Sequence, residues 1–143
     1  MQNEKLKLKI MLDAGAKVPT RAHEADAGLD IYAATDGVVP SGRSCIFDTG
    51  VHAEIPSGYV GMLKSKSGLN CKHGLVSEGV IDAGYTGSIV VKLYNHGASA
   101  YTVKAGEKIS QLVILPIITP EPEVVYSFAD TERGTGGFGS TGK

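Results

Sequence analysis

The sequence predicts a single all-β domain, and three observations carry that prediction. Glycine and proline, 19 and 6 residues, recur about every ten residues, the rhythm of short strands joined by turns. Near the start, Leu6, Leu8 and Ile10 alternate with Lys5, Lys7 and Lys9, which is the period of two of a strand with one face buried. The 143 residues suffice for one well-buried core and are too few for two ordinary ones.

The alternating Lys/Leu stretch opens the fold. Further strands are expected over residues 29–33, 44–47, 51–55, 59–64, 88–94 and 111–117. Turn-prone segments separate them: Pro40-Ser41-Gly42, Pro56-Ser57-Gly58, residues 84–87 and Lys104-Ala105-Gly106. Only residues 68–73, polar and without β-branched side chains, suit a turn or two of helix. The expected architecture is therefore a β-sandwich or barrel. After Pro122 one short apolar group remains, Val124, Val125, Tyr126 and Phe128, so the domain is expected to span residues 1–128. Residues 129–143, rich in Gly, Ser and Thr, cannot form a core. By composition they read as a disordered terminus. Arg133, a planar five-donor cation suited to phosphate, and Phe138, an aromatic face among glycines, open a second reading in which the segment folds over a ligand.

Charge and cysteine usage narrow the function classes. Acids and bases are interspersed around a net charge of −1, so the one-signed footprint of a nucleic-acid binder is absent and any polyphosphate must be met by a local cluster. The N-terminal segment has neither a signal-peptide core nor a bilayer-spanning run, and a soluble cytoplasmic protein without membrane partners is expected. Cys45 and Cys71 form no CxxC pair, and His23, His52, His73 and His96 are scattered without an HxxxH pair, which argues against a disulfide framework or a zinc site. No GxxxxGK[ST] loop and no GxSxG elbow occurs.

Four internal segments hold candidate chemistry. Asp30 interrupts the apolar run Ala27-Gly28-Leu29-Asp30-Ile31-Tyr32-Ala33; alone it reads as a solvent-facing strand position. Asp82, just before Gly84-Tyr85-Thr86-Gly87, reads alone as a turn-forming aspartate. Lys64-Ser65-Lys66-Ser67-Gly68-Leu69 offers cations, hydroxyls and a glycine that could hold phosphate oxygens, or could be an ordinary solvated loop. Gln111 is a neutral polar group where a turn enters a strand.

Together with the tail, these segments stand in the order and spacing of the five motifs of the trimeric dUTPase family, which the chain resembles from about Leu6 to its end. The motifs are Ala27 to Ala33, Lys64 to Leu69, Gly79-Val80-Ile81-Asp82-Ala83-Gly84-Tyr85 with Thr86-Gly87, Gly106 to Leu112, and Arg133 to Gly142. The resemblance implies a distorted, β-clip-like jelly roll, a homotrimer with shared active sites, and Mg²⁺-dependent hydrolysis of dUTP to dUMP and pyrophosphate. It implies that Asp82 is the general base for the attacking water, that Tyr85 packs on the deoxyribose and excludes a 2′-hydroxyl, and that Asp30 holds the metal's water shell indirectly. Substrate contacts are implied at Lys66, Ser67, Gly68 and Gln111, and in the tail at Arg133, Phe138, Gly139, Ser140 and Thr141, which would act as a flexible lid.

Uracil would be read by the backbone of a β-hairpin formed by residues 73–80, with Val76, Gly79 and Val80 beside the base. Cytosine would then leave a donor facing a donor, at a cost of about 1–3 kcal/mol. Two positions depart from the common pattern. Lys66 stands where many members have Arg, and Val76 where many have Asn. A dCTP deaminase would carry a glutamate ten residues beyond Asp82, where this chain has Lys92. Since some phage and bacterial relatives engage regulatory proteins, a protein partner, or a regulatory binding module as an alternative to the enzyme, also follows from the resemblance.

Overall fold

A computed structural model describes residues 5–139 and 142. The chain runs β1 (Lys9–Leu12), β2 (Gly28–Tyr32), β3 (Gly37–Val39), β4 (Ser44–Asp48), β5 (Val51–Glu54), β6 (Tyr59–Lys64), α1 (Ser67–His73), β7 (Leu75–Ser77), β8 (Gly79–Ile81), β9 (Val90–Asn95), β10 (Tyr101–Val103) and β11 (Lys108–Pro116). The expected short helix is α1, opened by Lys66 in extended conformation and ended by Gly74 in the left-handed region. No helix among the described residues is long and apolar enough to cross a membrane.

All strand pairing is antiparallel. It builds a four-stranded sheet in the order β2-β11-β6-β8, a three-stranded sheet β4-β9-β7, and the two-stranded pairs β1-β5 and β3-β10. None of these sheets closes on itself, so of the two expected architectures the barrel is not formed. Strand alternation dictates the core. On β9, Val91, Leu93 and Asn95 point inward; opposite them on β4 and β7 stand Phe47, Cys45, Ser77 and Leu75. From the other sheet Leu63, Ile81 and Leu112 complete the same buried cluster with Ile31 and Ile109. Buried polar groups do not weaken it: Asn95 donates from Nδ2 to the carbonyls of Val39 and Ser99, both at 2.9 Å, and accepts from the Gly97 amide.

Three sequence expectations are corrected. The opening strand starts at Lys9; Leu8 and Ile10 pack on the core, but Leu6 is 67% exposed, so its alternation with lysine extends beyond the ladder. β3 and β10 were not anticipated, because three residues are too few to show a period. Residues 73–80 do not make a paired hairpin. β7 ladders onto β9 and β8 onto β6, with Glu78 alone between them, so the chain passes from one sheet to the other.

Candidate active site

Two polar groups lie at opposite edges of the four-stranded sheet. The first centres on Asp30, which is 4% exposed on β2 and registers against Gln111 of β11. Its Oδ1 accepts from Lys66 Nζ at 2.5 Å and its Oδ2 from Lys108 Nζ at 3.0 Å. Burial pushes the Asp30 carboxyl up, but the two lysines more than offset this, and it titrates below its ordinary 3.8. The stability that these pairs contribute is therefore complete above about pH 3.8 and is lost as pH falls through the lower folded value. The same carboxylate raises the Lys108 ammonium. A bulge at Ile109 shifts the β11 register so that Lys108 faces Tyr32 and Ser110 faces Ile31, one way a strand re-aims a side chain.

Serines extend this group. Gln111 Nε2 donates to the Ser65 carbonyl at 2.9 Å, Ser110 Oγ donates to the Lys64 carbonyl at 3.0 Å and meets Ser77 Oγ at 2.8 Å, and the Ser77 amide donates to Ser65 Oγ at 3.1 Å. Ser67 and Gly68 begin α1 just beyond, both exposed, and a Cβ placed on Gly68 would meet nothing within 4 Å. Ser77 and Ser110 are buried beneath this group, whereas Ser67 is exposed and Lys66 and Gln111 are half-buried, and these three offer a donor set suited to phosphate oxygens. Gly28 makes room for one of them, since a Cβ there would lie 2.1 Å from Gln111 Oε1 and 3.0 Å from its Cβ. Gly28→Ala is expected to drive Gln111 off the Ser65 carbonyl and to lower the unfolding free energy by about 1 kcal/mol, measured by urea denaturation.

The second group follows β8. The Tyr85 amide donates to the Asp82 carbonyl at 3.2 Å, closing a β-turn whose third residue, Gly84, has φ of 90°, a value that disfavours any side chain. Asp82 is exposed at the turn's first position, and Tyr85, 46% exposed, closes it. The Tyr85 hydroxyl donates to the Ser88 carbonyl at 2.9 Å, and the ring lies so close over Gly87 that a Cβ there would sit 2.6 Å from Cζ. Both side chains border an open pocket of about 240 Å³, also lined by Leu63, Gly79, Val80 and Val90. The loop is seated on the β4–β5 turn: Thr49 N–H and Oγ1 donate to the Ile89 carbonyl at 3.1 and 2.6 Å, and the Ile89 amide donates to the Val51 carbonyl at 2.7 Å.

One chain does not bring these groups together. β2 and β8 are three strand spacings apart, about 14 Å, so Asp30 and Asp82 of one chain do not share a ligand atom. Val76 lies on β7 opposite Tyr94, on the face turned from the core, while Gly79 and Val80 lie on β8 beside the Asp82 turn. Arg133 donates from Nε to the Gly136 carbonyl at 2.7 Å, Phe138 is fully exposed, and Gly139 is exposed. Among the described residues the hydrogen bonds of 118–139 are all internal to that segment. Ser140 and Thr141 lie outside the described residues.

Sequence reasoning missed Lys108, Ser77 and Ser110 as parts of the Asp30 and Gln111 group, while Ser65 lies in the segment whose hydroxyls it singled out. Lys108 and Ser110 flank the bulge, and no local pattern announced either that bulge or which strand would lie opposite.

Comparison with known proteins converges on one family. The dUTPase family model matches residues 14–142. A curated relative, the deoxyuridine 5′-triphosphate nucleotidohydrolase of Clostridium tetani, is 40% identical over 141 residues, spanning 96% of this chain and 97% of that protein. Among solved structures, the dUTPase of Staphylococcus bacteriophage 80alpha with dUpNHpp superposes with a TM-score of 0.91 at 35% identity, covering 97% of this chain and all of that one. A mutant dUTPase from phage phi11 of S. aureus, described for its coordination of a structural Mg(II) ion, superposes with a TM-score of 0.80 at 33% identity, covering 86% of this chain and 99% of that one. An all-β chain of this topology, with its turn aspartate and lysine-paired strand aspartate in motif order, belongs to the dUTPase family.

Proposed function

We propose that the protein hydrolyses dUTP to dUMP and pyrophosphate. The observation that carries this reading is the β-turn that places Asp82 and Tyr85 together on the wall of an open pocket, in a chain of the dUTPase family. Asp82, exposed and free to face a water, takes its proton as the water oxygen attacks the α-phosphorus. The bond from that phosphorus to the bridging oxygen breaks, and pyrophosphate leaves with the electron pair. The Tyr85 ring, held by Ser88 and resting on Gly87, packs on the sugar where a 2′-hydroxyl would need space. Lys66, Ser67, Gly68 and Gln111 hold phosphate oxygens, and main-chain groups around Val76, Gly79 and Val80 read the base.

Magnesium fits as a companion of the triphosphate. Among the described residues no three His, Cys, Asp or Glu side chains cluster as a ligand cage, as suits an ion bound through phosphate oxygens and water. Asp30 gives one oxygen to each lysine, yet each oxygen keeps a second lone pair, so it can also accept from a water of the metal's shell. When bound, the metal neutralises charge developing on the phosphates.

A homotrimer is the assembly that family membership implies, and exposed apolar area is consistent with association of copies. Ile46, Val90 and Tyr94 are exposed on the outer face of the three-stranded sheet, and Ile118, Val124, Tyr126 and Phe128 are exposed in the segment after β11, apolar area that a second copy would cover. Sharing between copies would also bridge the separation of the Asp30 and Asp82 groups. In this reading Arg133, Phe138, Gly139, Ser140 and Thr141 belong to a lid that closes over the nucleotide.

Pyrophosphate release measured with Mg²⁺ against dUTP, dTTP, dCTP and UTP tests the assignment. Release from dUTP alone is expected, and none from dUTP would overturn it. In the same assay Tyr85→Ala is expected to admit UTP; unchanged discrimination would assign the sugar gate elsewhere.

A further inference from the structure

His52, on β5, spans two acceptors. Its Nδ1 lies 2.7 Å from the Thr86 carbonyl, and its Nε2 lies 3.1 Å from both carboxylate oxygens of Asp13, in the turn after β1. A carbonyl and a carboxylate can only accept, so both contacts are satisfied together only when both ring nitrogens carry protons. The neutral ring would set a lone pair against one of the two acceptors. Thr86 is the residue between Tyr85 and Gly87, so this contact holds the backbone on which the Tyr85 ring rests.

The surroundings favour the charged ring. Besides Asp13, Asp48 of β4 faces it, and Lys9 of β1 and Glu54 of β5, which pair with each other at 3.5 Å, border the same pocket. Hydrogen bonds to the Thr86 carbonyl first, and to Asp13 next, raise the His52 imidazole above its ordinary 6.5. Asp48 stays ionised nearby, held below its usual value by the Ser88 hydroxyl and the Gly50 amide. The His52 contribution is therefore complete below pH 6.5 and is lost as pH rises through the higher folded value.

We propose that His52 is a positioning residue: its imidazolium ties the Thr86 carbonyl to Asp13, fixes the turn that carries Tyr85, and so couples sugar discrimination to protonation. The coupling to discrimination rests on the reading of Tyr85 as the sugar gate; the tethering of the turn does not.

Two measurements on the intact protein test the two parts separately. In an NMR titration from pH 6 to 9, the amides of Tyr85, Thr86 and Gly87 are expected to shift with the midpoint of the His52 ring, and Asp13→Asn to move that midpoint down. Amides that stay still while the ring titrates overturn the tether. In kinetics over the same range, the kcat/KM ratio of UTP to dUTP is expected to rise about fivefold as His52 loses its proton, the low end for a coupling through one contact. His52→Gln should hold that ratio flat at its high-pH level. A wild-type ratio that ignores the titration, beside a Tyr85→Ala variant that does admit UTP, overturns the coupling. If Tyr85→Ala leaves discrimination intact, it is the sugar-gate reading that has failed, and the amide shifts alone decide the tether.

Discussion

Asp82→Asn will bind a non-hydrolysable analogue such as dUpNHpp with little change in affinity and will lose turnover by about 10²–10⁴-fold, the range for removal of a general base. The side chain is exposed at the first position of its turn, and the bond that closes the turn comes from its backbone carbonyl, so an isosteric amide leaves the fold intact. What disappears is an oxygen able to take a proton from water. Calorimetric binding beside single-turnover kinetics separates the two effects. A variant that hydrolyses dUTP at the wild-type rate would remove Asp82 as the base.

Ending the chain after Glu132 will leave thermal unfolding almost unchanged and lower kcat/KM for dUTP by at least about 10²-fold, on the scale by which misplacing a bound reactant slows an enzyme. The stability half of this expectation follows from the hydrogen bonds of residues 118–139, which among the described residues do not reach the domain. The activity half follows from what the segment would bring to a nucleotide, a guanidinium and an aromatic face. Full activity in the shortened protein, measured beside its melting curve, would leave the tail without a catalytic part.

Much of the fold could be read from the sequence because local rules dominate it. The turns at Gly42, Gly58 and Gly106, Pro-Ser-Gly in the first two and Lys-Ala-Gly in the third, stand where strands end, each closed by a backbone hydrogen bond. The strand at Tyr59–Lys64 matched in full, since its burial follows its own composition. What stayed hidden depends on partners distant in sequence. Asp30 looked like a solvent-facing acid and is nearly buried, because Lys66 and Lys108, 36 and 78 residues away, neutralise it. His52 is one of four histidines scattered in the sequence without a pattern, and its significance rests on Asp13 and Thr86, which only the packed chain brings to it. The five motifs gave the family, but their order could not reveal that one chain keeps the Asp30 and Asp82 groups at opposite edges of a sheet.

The crossing at Glu78 leaves no slack in the chain. Ser77 is buried in one sheet, and Ile81, four residues on, is buried in the other, so a single residue sets the phase between two layers. Adding or deleting one residue there would rotate the following strand by half its period, turning Val80 inward and Ile81 outward and carrying Asp82 to the wrong face. The Lys64–Glu78 pair at 2.7 Å marks the joint. The aspartate therefore owes its aim to the packing of two sheets, and loop length can vary freely only where a strand is not waiting on the far side.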